Sequence, residues 1–302
     1  MTDPRSRPSE ISPETRAVDK ILDEHSRLRL QYIFLTLGGA LVLISIGSSV
    51  SLQTESPFWF VGGLVLAAGF YFFLHERAIR KVSDRVMPIL ADMAGGLEFR
   101  PQGLSPSFLQ PSRALPHGRV SESEDTVRGR IGEVAFESWE AEIDRKSGKN
   151  RRKVFDGFIV RVFVDDQREL LVRPAPSLRS ILSIGNFINP DNAPGAKGDL
   201  RVLSRDLEVH SSTADWRTSD LKNALEQVAR SLPPGLRFRS IRQTGGTAVF
   251  VFDSTRDLYT IGGLFSGKDA MRREIHQALK DLAIAPAVAA IWAEVGKKVR
   301  TD

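Results

Sequence analysis

The chain has 302 residues, no cysteine, and a formal charge of +5 from 42 basic and 37 acidic residues. Absence of thiols excludes disulfides, thiol nucleophiles and cysteine-ligated zinc. The length accommodates an apolar hairpin with one large or two small soluble units. A pI near 9.6 is as compatible with contact to anionic headgroups as with an ordinary solvated surface.

Residues 1–12 are polar and proline-bearing and read as a disordered tail. Ser12-Pro13-Glu14-Thr15 reads as a helix start, and Val18, Ile21, Leu22, Leu28 and Leu30 carry one helix onward. No charged residue occurs from Leu30 to Thr54, and none from Ser56 to Leu74. The second run alone is long enough for a helix of roughly 28 Å, close to the hydrocarbon thickness of a bilayer. A transmembrane helical hairpin over 30–74 is therefore expected, because lipid offers no partner to a bare backbone amide. Basic residues precede the first run and follow the second (Arg77, Arg80, Lys81, Arg85), whereas the turn at 51–57 has none. That asymmetry predicts cytoplasmic N- and C-termini. Gly63 and Ala67 form a small-xxx-small step for helix packing, with Ala40 and Ser45 as expected partners. No ionisable residue interrupts either run, which argues against a pump or channel.

Beyond the hairpin, an apolar stripe from Ile79 to Leu90 (with Val82 and Val86) is suited to lie against protein or headgroups. Gly95-Gly96 should end the helix, and a Pro/Gly-rich connector follows to residue 118. From Asp125 the apolar period falls to two, over 126–131, 134–143, 154–164 and 169–173. An antiparallel meander is expected there. A short helix is read at 177–182, a loop at 189–195, a weak strand at 207–210 and a helix from Ser219. A hairpin turns at Gly245-Gly246, and a helical stretch from Lys268 to Val299 should bend or break at Pro286. The predicted fold class is thus α+β. Its divisions are a cytoplasmic tail and helix (1–29), the hairpin (30–74), a juxtamembrane helix with connector (75–118) and a cytoplasmic domain (119–302).

Gly262 to Lys268 fits the spacing of a phosphate loop, but Asp269 stands where such a loop needs Ser or Thr for magnesium. A glycine-rich cap for the last helix is the simpler reading. The five histidines are scattered without metal-ligand spacing, so neither metal nor cofactor is expected. Glu137, Glu140 and Glu142 read as a solvated strand face rather than a catalytic pair. No G-x-S-x-G elbow is present. Basic residues cluster at a predicted hairpin tip, Arg145-Lys146 with Lys149, Arg151, Arg152 and Lys153. Together with Arg77, Arg80, Lys81 and Arg85 they are candidate contacts for anionic lipid or phosphate. No aromatic interleaves with the cluster, so nucleic acid is not an expected partner.

Glu124-Asp125-Thr126-Val127-Arg128-Gly129, then Val134-Ala135-Phe136-Glu137-Ser138, then Phe155-Asp156-Gly157-Phe158 follow the hairpin in order. In this order the chain resembles the bacterial membrane family known as domain of unknown function 3137, over roughly residues 75–292. That family has an acidic-Asp-x-Val-x-Gly strand, then Phe-Ser-Glu, then Phe-x-Gly-Leu-Phe. Here Glu137-Ser138 stands where it favours Ser-Glu, and Phe158-Ile159 where it favours Leu-Phe. The resemblance implies a two-span protein of the bacterial inner membrane and carries no activity with it. The functional expectation is a non-enzymatic, membrane-anchored module that binds a protein partner, itself, or membrane lipid. The alternatives are a nucleotide-responsive regulator or enzyme using the Gly262–Lys268 loop, and an anionic-lipid sensor.

Overall fold

A computed structural model of the chain describes residues 13–110, 114–147, 150–174, 196–202, 205–211, 218–262 and 266–298. Its architecture is α+β, as the pattern of periods predicts: two long apolar helices precede a nine-stranded antiparallel sheet with further helices. The chain divides into two compact units, Met1–Met93 with Tyr259–Leu279, and Ala94–Leu258 with Lys280–Asp302. The connector from residue 94 therefore belongs with the sheet, and the chain returns to the helical unit between Tyr259 and Leu279. The helix expected at 177–182 and the loop at 189–195 lie outside the described residues.

In the first unit, helix α1 spans Pro13–Thr54 and α2 spans Phe58–Met93. Glu55, at φ 54°, makes the sharp connection between them. The Ser51 hydroxyl donates to the Ser56 carbonyl at 2.9 Å, tying the end of α1 to the turn. Only 11% of the most apolar stretch of each helix is buried, and Phe34, Leu41, Leu52, Phe58, Val65 and Phe72 lie exposed.

The helices meet through small residues. A Cβ built on Gly47 would lie 2.8 Å from the Trp59 carbonyl oxygen and 3.1 Å from the Gly63 Cα. Gly63 and Ala67 are both buried, and Gly63 lies against Gly47 and the Leu43 carbonyl, while the expected partner Ser45 is exposed. Helical phase accounts for this seam: Tyr32 and Thr36 are buried on α1, and Ala40 and Gly47 continue that line, whereas Ser45 is exposed and turned about 200° away from Gly47.

Outside the apolar runs the same helices bury Ile21, Leu22, His25 and Leu28 on α1 and Val82, Val86 and Leu90 on α2. The Ser83 hydroxyl donates to the Tyr259 carbonyl at 2.8 Å, and Gly262 sits directly against Val82 and His25. The stripe from Ile79 to Leu90 thus turns its centre to protein.

In the second unit, α2 gives way to Gly95 and Gly96 at φ 115° and 71°, conformations that glycine adopts without a Cβ penalty. The connector contains a strand that its prolines conceal: β1 (Glu98–Gln102) buries Phe99 and pairs with β2 (Arg119–Ile131). It is short, charged and proline-bearing, as edge strands tend to be. β3 (Val134–Ser147) and β4 (Asn150–Phe163) complete a meander. Then come β5 (Leu170–Pro174), β6 (Ala196–Val202), β7 (Arg205–Ser211) and α3 (Thr218–Ser231). The hairpin β8 (Leu236–Thr244) and β9 (Thr247–Ser254) turns at Gly245-Gly246, both at positive φ. The sheet order is β1-β2-β3-β4-β9-β8-β5-β7-β6.

Helices α4 (Lys268–Leu282) and α5 (Ile284–Lys298) break at Ala283, so Pro286 falls in the first turn of α5, where its missing N–H costs nothing. On α5, the Trp292 indole donates to Gln243 at 2.9 Å and meets the Phe250 ring edge-on at 5.0 Å. A separate apolar cluster gathers Trp139, Ile143, Phe155, Ile159, Leu171 and Val251 with Leu109 and Leu115 of the connector.

The glycine seam makes a direct prediction. Gly47→Leu should splay the helix pair, at the roughly 1–3 kcal/mol typical of overpacking, and lower the melting temperature followed by helical circular dichroism in detergent micelles. Gly38→Leu and Gly62→Leu, where nothing lies within 4 Å, should leave it unchanged.

Candidate functional site

The basic residues singled out in the sequence separate into neutralised and uncommitted groups. Near the helix pair, Arg80 bonds Glu76 at 3.0 Å, Arg85 bonds Glu24 at 2.7 Å and Arg77 stands 6.0 Å over the Phe73 ring. Lys81 is exposed. At the β3–β4 tip, Lys153 bonds Asp156 at 2.8 Å and also pairs with Glu142. Those two bonds, the one to Asp156 foremost, push its pKa above the ordinary lysine value. Its charge is therefore already spent. Arg151 and Arg152 remain exposed, and Lys149 lies outside the described residues.

The three glutamates of β3 are not the solvated face that their spacing predicts. Glu137 is held between Arg128 (2.9 Å) and Arg161 (3.3 Å). The Arg161 guanidinium also stacks over Phe108 and Trp139, at 4.8 and 5.4 Å. Glu142 takes Lys153, and Glu140 turns inward, where its Oε1 accepts the Leu258 backbone N–H at 3.1 Å. Burial pushes the Glu140 carboxyl well above the usual carboxylate range. The Leu258 N–H pulls the other way, and the negative charges of Asp125, Asp257 and Glu124 add to the rise. Beside Asp257, Arg256 forms a forked pair with the fully buried Asp281, at 2.8 and 2.5 Å, which raises the arginine pKa.

Two polar groupings are assembled by the tertiary structure, the first without a signal in the sequence and the second joining Lys146 and Arg151 of the basic cluster to residues the sequence did not single out. Arg173, Glu208 and His210 are all buried, with the Glu208 carboxylate 3.3 Å from Arg173 and 3.2 Å from His210. They lie 35 and 2 positions apart, and strand pairing alone brings them together. The second is a concavity of about 330 Å³ lined by Arg119, Ser121, Asp144, Lys146 and Arg151.

Glu274 bonds the described residues on either side of the middle of the glycine-rich segment. Glu274 Oε2 accepts the Gly262 backbone N–H at 2.7 Å, and its Oε1 accepts the Ser266 hydroxyl at 3.1 Å. A phosphate at this place would have to displace Glu274 from the Gly262 amide. The Gly267 carbonyl starts α4 by accepting the Met271 N–H at 2.9 Å, as a helix-capping loop should. Among the described residues, no three His, Asp or Glu side chains gather as metal ligands.

No protein-family model, no curated protein and no solved structure matches this chain.

Glu140 makes the pH dependence predictable. Its pKa is raised in the folded protein, so between the ordinary carboxylate value and the raised one only the unfolded chain is ionised. Stability is then lost as pH rises through that window and is retained below it. Glu140→Gln keeps the acceptor for Leu258 without the charge. It should melt higher than the parent chain near neutral pH, and the difference should vanish towards pH about 4. A difference that does not change with pH would refute this account.

Proposed function

We propose that the chain is an integral membrane protein anchored by α1 and α2, whose sheet unit is a non-enzymatic module that binds a protein partner or organises an assembly. The observation that carries the reading is the band of exposed apolar side chains on both helices between Leu30 and Phe73. Water offers such a band nothing, whereas acyl chains match it. At 42 residues α1 is roughly 63 Å long, about twice the hydrocarbon thickness, so its amino-terminal half stands outside the bilayer. The basic flanks put both ends of the pair on the cytoplasmic side. The resemblance of the sequence to a bacterial membrane family of unknown function supports an inner-membrane location.

The missing cysteines make the topology testable. A single Gln53→Cys, in the turn, should react with a membrane-impermeant maleimide on intact cells, while Thr255→Cys should react only after lysis. The chain should also stay in the membrane pellet through alkaline carbonate. Release by carbonate, or labelling of both positions on intact cells, would overturn the anchor. Crosslinking with mass spectrometry in the native membrane tests the second half of the reading. A reproducible partner joined to the sheet unit is expected, and its absence counts against an interaction module.

A further inference from the structure

The outer parts of β2, β3 and β4 run past the rest of the sheet. β9 pairs with β4 only from Gly157 onward, so Asn150–Asp156 has β3 alone beside it. Within this ribbon the cross-strand pairs change character along its length. Asp144 faces Lys153 in register, and Lys153 is further paired with Glu142 and Asp156, as hairpin stability favours. One and two residues farther out, Arg145 faces Arg152 and Lys146 faces Arg151. Like charges placed directly opposite each other destabilise a hairpin. Arg145 is anchored to the His117 carbonyl at 3.1 Å. Lys146 and Arg151 share instead the concavity that Arg119 completes from β2. Among the described residues the side chains of Arg119, Lys146 and Arg151 make no ion pair, and the Asp144 carboxylate in the same wall has neither ion pair nor hydrogen bond.

We propose that this concavity is a binding site for a phosphate monoester with a neighbouring hydroxyl group. Three cations against one carboxylate leave two positive charges, the match for a phosphate monoester above its second ionisation near pH ~6. Arg119 and Arg151 offer planar forks to phosphate oxygens, and Lys146 supplies a mobile point charge. Ser121 has given its hydrogen to Glu142 at 3.1 Å, so phosphate recognition rests on the three cations. Asp144 is an acceptor only, repels a second phosphate, and is satisfied by a ligand hydroxyl. A volume of about 330 Å³ holds a phosphate with a small polyol. Bound anion would relieve the repulsion between Lys146 and Arg151, which is the energetic reason for the ribbon to tolerate that pair.

The test uses the full-length protein in phosphatidylcholine nanodiscs. Glycerol 3-phosphate is titrated by calorimetry with sulfate as the comparison anion, and vesicles with or without phosphatidylinositol 4-phosphate are tested by flotation. Saturable binding of glycerol 3-phosphate, tighter than sulfate, identifies a soluble ligand. Recruitment of the phosphoinositide vesicles without binding of the soluble ester identifies a lipid headgroup. In either case Arg151→Gln and Arg119→Gln should each weaken binding by about tenfold or more, and added salt should weaken it further. Asp144→Asn should narrow the preference for glycerol 3-phosphate over sulfate. The decisive variant is Lys146→Glu. It replaces a like-charge pair with an opposite one, so binding should be lost while the melting temperature holds or rises. Failure of both probes, or binding that survives Lys146→Glu and Arg151→Gln, would overturn the site.

Discussion

The uncharged runs at 30–54 and 56–74 leave their backbone a single satisfactory state. Their few hydroxyls, such as those of Thr36, Ser48 and Ser49, bond carbonyls one turn back within the same helix, so the backbone is satisfied within each segment as α1 and α2. Two such helices gain little specificity from Leu, Val and Phe alone, since those side chains suit many registers. The contact of Gly47 with Gly63 favours one register by allowing backbone to meet backbone, and the turn at Glu55 closes the pair. Beyond the runs the same helices carry ordinary amphipathic stripes, and these bury protein against protein. The composition of the helix faces thus changes along its length, from exposed apolar side chains within the charge-free runs to amphipathic stripes beyond them.

The sheet unit handles charge differently. Its strands keep alternate residues apolar, and several polar residues on the remaining positions are paired across strands rather than left to water. Arg128, Glu137 and Arg161 form one such row across β2, β3 and β4, and Arg173, Glu208 and His210 form another across β5 and β7. Pairing of this kind specifies register, because a slip of one residue turns every charge to the opposite face. Against that background the unneutralised cations around Arg119, Lys146 and Arg151 depart from the pattern of their own sheet. Glu140 departs in the other sense, as a carboxyl buried without a cation bonded to it and pushed towards its neutral form.

The amino-acid sequence by itself determined the classes of element and most of their places. Charge-free length specified the two apolar helices, alternation specified the meander and the β8–β9 hairpin, and paired glycines specified the end of α2 and the β8–β9 turn. These are local signals, set by the preferences of neighbouring residues. The tertiary structure alone decided which residues meet. Gly47 faces Gly63 and Ser45 does not, because helical phase along the whole pair sets which small residues meet. β1 forms within a proline-rich connector because β2 supplies a neighbour for it. Glu274 reaches Gly262, and Arg119 joins Lys146 and Arg151, through backbone paths that no spacing rule encodes. Strand order and side-chain convergence depend on contacts between distant segments, and the free energy of such contacts appears only once the chain has closed around them.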